Sequence, residues 1–170
     1  MKSKNFVIFS VIVFIAALGF VIFSKGKTNE GEAKVPTQST SVLNALEKDF
    51  DFGTIVMKDG DVSKIFELEN EGTEPILISK VYTSCMCTVA KITTAKSETS
   101  GPYGMSGHNG GTSRTGIEVG AGETVKVEAI FNPAAHGPSG VGLANRTIFL
   151  ETNSTQTPKV ELNFTATVTN

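Results

Sequence analysis

Cys85 and Cys87 are the only cysteines of the chain, one residue apart in Ser84-Cys85-Met86-Cys87-Thr88. Three chemistries are open to such a pair. The first is a Cys85–Cys87 disulfide, the usual fate of cysteine pairs in exported proteins. In a fully extended strand, residues i and i+2 lie about 6.5–7 Å apart, near the upper limit for a bridge. The chain must then turn at Met86, and the small ring so formed is strained and reducible. The second is a metal site. Two thiolates with Met105 and His108 from a long loop are soft donors, which suit Cu(I). Zinc fits less well, because a closed structural site takes four Cys or His ligands and the chain has two of each. The third is a pair of free thiols that pack as small apolar groups. The candidate ligands are therefore Cys85, Cys87, Met105 and His108. His136, in Pro133-Ala134-Ala135-His136-Gly137-Pro138, reads as a solvated loop residue.

The remaining motifs carry less. Asp59-Gly60-Asp61 lacks the further acidic ligands of a calcium loop and reads as a turn. Glu67, Glu69 and Glu71 read as a solvated strand edge. Gly107–Gly111 has neither the Lys nor the helix that a phosphate loop needs. Asn145-Arg146-Thr147, Asn153-Ser154-Thr155 and Asn163-Phe164-Thr165 fit the glycosylation pattern. No Ser-His-Asp or Cys-His arrangement has a plausible orienting group, so a non-enzymatic role is expected.

The elements that must present the cysteines begin with an apolar run. Phe6–Phe23 holds eighteen residues without a charge, roughly 27 Å as a helix and close to the thickness of a bilayer core. Signal-peptide cores are usually shorter, so the run is expected to be an uncleaved transmembrane anchor rather than a signal peptide. Lys2 and Lys4 favour a cytoplasmic N-terminus over residues 1–5, with the rest outside the cytoplasm, although Lys25 and Lys27 lie on the far side. Residues 24–42 are polar, with scattered Gly, Pro, Ser and Thr, and read as a flexible linker. From Thr28 onward eleven basic residues face seventeen acidic ones. That balance, with no basic stripe, argues against nucleic acid as a partner.

Residues 43–170 read as short strands parted by turns. Leu43–Lys48 is a candidate edge strand, and Asp51–Ile55 follows. In Val62–Glu69, Val62, Phe66 and Leu68 face one way and Glu67 and Glu69 the other. Pro75–Thr83 leads into the cysteines, and Thr88–Ile92 is a further short strand. Thr93–Gly116 reads as a long loop without structure of its own. In Thr124–Phe131, Val125, Val127, Ala129 and Phe131 alternate with polar residues. Asn132–Leu143 is a second loop, followed by strands over Asn145–Thr152 and Pro158–Val168. About seven strands, each with one apolar face, predict an all-β fold, a two-sheet sandwich.

The order of motifs resembles a known family. Asp51-Phe52-Gly53-Thr54-Ile55, Gly60-Asp61, Phe66-x-Leu68-x-Asn70-x-Gly72, Pro75-Ile76-x-Ile78, Ser84-Cys85-x-Cys87-Thr88, Gly122-Glu123, Phe131-x-Pro133 and Thr152-Asn153 fall in the order typical of the domain of unknown function 1573 family, over roughly residues 43–168. The resemblance implies an immunoglobulin-like sandwich of the abnormal-spindle/hydin type in a bacterial envelope protein, and it brings no activity. Two features depart from the family: Met86 stands where Gly is usual, and the 93–116 stretch is longer. The reading is thus a single-pass membrane protein with an extracytoplasmic domain, periplasmic or at the cell surface. Its expected role is non-catalytic binding, scaffolding or envelope assembly with a protein partner. The alternative is a redox or copper-handling protein built on Cys85 and Cys87.

Overall fold

Alternating apolar residues pair the strands, and their buried faces close two sheets on each other. The computed structural model describes residues 37–107 and 113–170. The transmembrane anchor at 6–23, the cytoplasmic residues 1–5, most of the linker and His108 lie outside the described residues. Among the described residues no helix is long and apolar enough to cross a membrane.

Among the described residues there are ten strands: β1 (Leu43–Ala45), β2 (Asp49–Val56), β3 (Val62–Asn70), β4 (Ile76–Thr83), β5 (Thr88–Thr93), β6 (Thr99–Tyr103), β7 (Arg114–Val119), β8 (Thr124–Phe131), β9 (Gly142–Thr152) and β10 (Lys159–Thr169). The first sheet runs β1-β3-β8-β5-β6 and the second β2-β10-β9-β4-β7. The all-β, two-sheet sandwich is as predicted, with ten described strands rather than seven. Val125, Val127, Ala129 and Phe131 of β8 are buried, as are Val160, Leu162, Phe164, Ala166 and Val168 of β10. Each large apolar side chain so buried contributes roughly 1.5–3 kcal/mol.

Two expectations are corrected. The stretch 93–116 is not a structureless loop: it holds β6 and the start of β7. β6 reads Thr-Ser-Gly-Pro-Tyr, which looks like a turn. It forms because among the described residues it is an edge strand paired with β5 alone, so Pro102 need not donate on the other side. Gly101, at φ +111°, lies so close to the Ala90 carbonyl that a Cβ there would sit 2.8 Å from that oxygen. The linker also ends before residue 42. Ser39 bridges Ser154, and its backbone N–H donates to the Asn153 carbonyl at 3.0 Å. Ser39 and Ser41 are buried, and the Ser154 hydroxyl donates to the Ser41 carbonyl at 2.6 Å.

Two of the sequence motifs acquire physical reasons. β2 runs parallel to β10, and the register slips between Thr165 and Thr167. At the slip Gly53 takes φ +68°, and the Asp51 carboxylate accepts from the Gly53 N–H at 2.9 Å and the Thr165 hydroxyl at 2.8 Å. Asn70 is fully buried. Its amide donates to the carbonyls of Glu74, Val119 and Gly120, and its oxygen accepts from the Gly72 N–H.

The topology also positions the cysteines. The chain leaves the second sheet at the end of β4 and enters the first at β5, so Cys85-Met86-Cys87 is a sheet-to-sheet crossover. The β8–β9 connection crosses in the opposite sense. Thr88 lies opposite Phe131 and Thr83 opposite Ile148, which places the two crossovers side by side.

Candidate thiol centre at the sheet crossover

The crossover is held by backbone and hydroxyl contacts before any sulfur chemistry begins. Thr88 N–H donates to the Cys85 carbonyl at 3.1 Å, closing a tight turn around Met86. The buried Thr83 hydroxyl lies 2.9 Å from the Cys85 carbonyl and 3.0 Å from that of Thr88, a donor shared across the turn. Ser84 N–H donates to the Thr147 carbonyl, and Thr147 N–H donates to the Ser84 hydroxyl, both at 2.9 Å. Asn132 N–H donates to the Cys87 carbonyl at 2.9 Å. The turn is thereby tied to β9 on one side and to the β8–β9 connection on the other.

In this turn the Cys85 and Cys87 Cα atoms are 5.3 Å apart and the two sulfurs are bonded. Of the three states open to the pair, this turn accommodates the disulfide, because its Cα separation lies within the range a bridge needs. The two sulfurs sit in unlike surroundings. Cys87 is buried, 3% exposed, whereas Cys85 is half-buried and the intervening Met86 is 46% exposed. His136 Nε2 lies 3.3 Å from Cys85 Sγ on the solvent side. Arg146 Nε donates to Cys87 Sγ at 2.9 Å on the inner side.

Arg146 is an unusual occupant of its place. On β9 it shares the inward face with Ala144, Ile148 and Leu150, which are all buried. Its guanidinium lies 5.7 Å from the Phe131 ring centroid and donates from Nη1 to the Asn145 carbonyl at 2.8 Å. Burial pulls its pKa below the usual arginine value, because a low-dielectric setting disfavours the charged form. Among the described residues no carboxylate forms an ion pair with it.

The ligand atoms of Cys85, Cys87 and His136 all lie within 4.8 Å of one another. Among the described residues the histidine at the pair is His136, and the His108 that the sequence favours lies outside the described residues. Met105 comes alongside the turn through a backbone bridge to Thr83 and is half-buried. Sequence reasoning missed two members. His136 becomes a neighbour of Cys85 only once β5 is paired with β8, which no local pattern states. Arg146 had a signal: strict alternation along β9 puts it at an inward position, where a cation is out of place.

Residues 43–102, the segment that carries both cysteines, match the family described as Protein of unknown function (DUF1573). It is the family to which the motif order points. No curated protein matches the chain. Among solved structures, a protein of unknown function from Porphyromonas gingivalis W83 superposes with a TM-score of 0.55 at 14% identity, over 81% of this chain and 51% of that one. The secreted serine protease VesC from Vibrio cholerae gives 0.46 at 13% identity, over 74% and 23%. The ASH/PapD-like domain 7 of human CEP192 gives 0.43 at 14% identity, over 86% and 96%. The chain thus spans about half of the Porphyromonas protein and 23% of the protease. The first likeness shows a shared β-sandwich fold and nothing of function.

Proposed function

We propose that this chain is a membrane-anchored, non-catalytic immunoglobulin-like module of the bacterial envelope that meets a protein partner through thiol–disulfide exchange at the Cys85–Cys87 turn. The observation that carries the reading is the unlike pair of neighbours, His136 at Cys85 and Arg146 at Cys87. They give the disulfide a direction. A partner thiolate attacks the accessible Cys85 Sγ, the S–S bond breaks, and Cys87 leaves as a thiolate beside the guanidinium. A second partner thiol then displaces Cys85, whose thiolate takes a proton from His136 or solvent. The partner's dithiol loses two electrons and becomes a disulfide, and the Cys85–Cys87 pair gains them.

The test uses single variants of the full chain reacting with glutathione disulfide. Cys87→Ser, which leaves Cys85, forms the mixed disulfide on the order of tenfold faster than Cys85→Ser, which leaves the buried Cys87. Equal rates, or a faster Cys87, would sink the proposal. The anchor at 6–23 is tested separately: the chain stays in the membrane pellet through an alkaline wash, and external protease reaches residues 43–170 in cells with a permeable outer layer. Release by the wash removes the anchor from the reading.

A second reading keeps the partner and drops the sulfur chemistry. β2 is an eight-residue edge strand whose partner among the described residues is β10, and the reading assigns its other side to strand addition. Retention of the partner by a Cys85→Ser, Cys87→Ser chain favours this scaffold reading, and loss of it favours exchange.

A further inference from the structure

We propose that, once reduced, Cys85, Cys87 and His136 bind one Cu(I) ion in a three-coordinate site whose charge Arg146 balances. The inference rests on the reading that the pair is reduced in use. Its ligand set is drawn from the described residues: His136 supplies the imidazole, Met105 is not required, and His108 lies outside them.

Three observations carry it. The two sulfurs and the imidazole nitrogen already lie within 4.8 Å of one another, so one ion can reach all three with little movement of the chain. The donors come from two crossovers tied together by the Asn132–Cys87 hydrogen bond, so the site is framed by the fold rather than by one flexible loop. Arg146 is a partly buried cation that among the described residues has no carboxylate partner and donates to Cys87 Sγ. A cation in that setting calls for a negative charge.

Charge decides the metal. Two thiolates and Cu(I) carry one net negative charge, which the guanidinium cancels. Two thiolates and Zn(II) are neutral, and Arg146 would then remain uncompensated. Thiolate softness points the same way, and three donors leave zinc one short of a closed tetrahedral site.

The experiment is a titration of the full chain in detergent micelles, reduced without oxygen and checked by mass for two free thiols. Cu(I) is supplied in competition with bathocuproine disulfonate. The expected result is one Cu(I) per chain, with an X-ray absorption spectrum of two sulfurs and one imidazole nitrogen. His136→Gln weakens binding at least about tenfold, and His136→Cys, which restores a soft donor, recovers it. His136 lies in an exposed loop, and circular dichroism confirms that both variants keep the fold. Undiminished binding by His136→Gln, no Cu(I) held against the chelator, or Zn(II) held in its place overturns the proposal. Because reduction is done chemically beforehand, an unreactive disulfide would defeat the exchange reading and leave this measurement standing.

Discussion

Arg146 Nε donates to the Sγ of Cys87 across 2.9 Å, from a β9 position whose neighbours on the same face are all buried and apolar. Placing a guanidinium there costs desolvation that a leucine would avoid. Beyond its contacts with the Phe131 ring and the Asn145 carbonyl, its hydrogen bond to Cys87 strengthens when that sulfur carries a negative charge. A charge-assisted hydrogen bond contributes about 1.5–3 kcal/mol, roughly a tenfold to hundredfold change in an equilibrium constant. Arg146→Gln is therefore expected to make the disulfide harder to reduce by about tenfold at neutral pH, measured against a glutathione buffer. An unchanged equilibrium constant assigns Arg146 to packing alone. Arg146→Lys should recover part of the effect, since lysine supplies charge without the planar fork.

Gly72 is predicted to be irreplaceable for a reason unrelated to its own backbone angles. A Cβ at this position would run into the side chain and Cα of Ser41. Ser41 is buried, and its hydroxyl accepts the Glu74 N–H at 2.9 Å. Gly72→Ala should destabilise the domain by about 1–3 kcal/mol in urea melts. Ser41→Gly removes the hydroxyl and Cβ from the collision and leaves the Cα, so the double variant should lose less than the sum of the singles while staying below the parent in stability. Simple additivity counts against the collision.

The legible part of the fold was the part written in alternation. β8 and β10 show one apolar face along most of their length, and their buried residues are the expected ones. β6 was illegible because an edge strand needs little apolar surface, and Gly101-Pro102 looks the same in a turn as on an edge. The start of the body was misplaced because Ser39 and Ser41 are buried for their hydrogen bonds, a role that hydropathy does not register. At the site, the cysteines announced themselves by spacing. His136 was hidden because its approach to Cys85 depends on β5 pairing with β8, a contact between residues about fifty positions apart.

Acid sensitivity is predicted at carboxylates that include Asp51 and Glu74. The Gly53 N–H and then the Thr165 hydroxyl hold Asp51 below its ordinary pKa, against a small opposing desolvation. Thr40, through its N–H and its hydroxyl, does the same for Glu74. A carboxylate with a lowered folded pKa adds stability above its unfolded pKa and loses it as pH falls through the folded value. The domain should therefore lose stability as pH drops below the ordinary carboxylate range. Asp51→Asn and Glu74→Gln should each flatten that decline, read as the thermal midpoint against pH. A decline of unchanged steepness in both variants would move the acid sensitivity elsewhere.

Phe164 is predicted to join the sandwich to the thiol centre. It is buried on β10 of the second sheet, with its ring 5.4 Å from that of Phe131 on β8 of the first and 5.3 Å from that of Phe52 on β2. Phe131 in turn lies beneath the Arg146 guanidinium. Phe164→Ala should cost about 3–5 kcal/mol, because it removes a large buried ring at the meeting point of the sheets. Phe164→Leu should cost less and keep the domain folded, which allows the second consequence to be read. With a smaller residue behind it Phe131 can shift, and the guanidinium resting on it then loses its fixed approach to Cys87. The Phe164→Leu chain should move its glutathione equilibrium in the direction of Arg146→Gln, though by less. A change in stability with no change in that equilibrium would separate the core from the centre and leave Arg146 positioned by β9 alone.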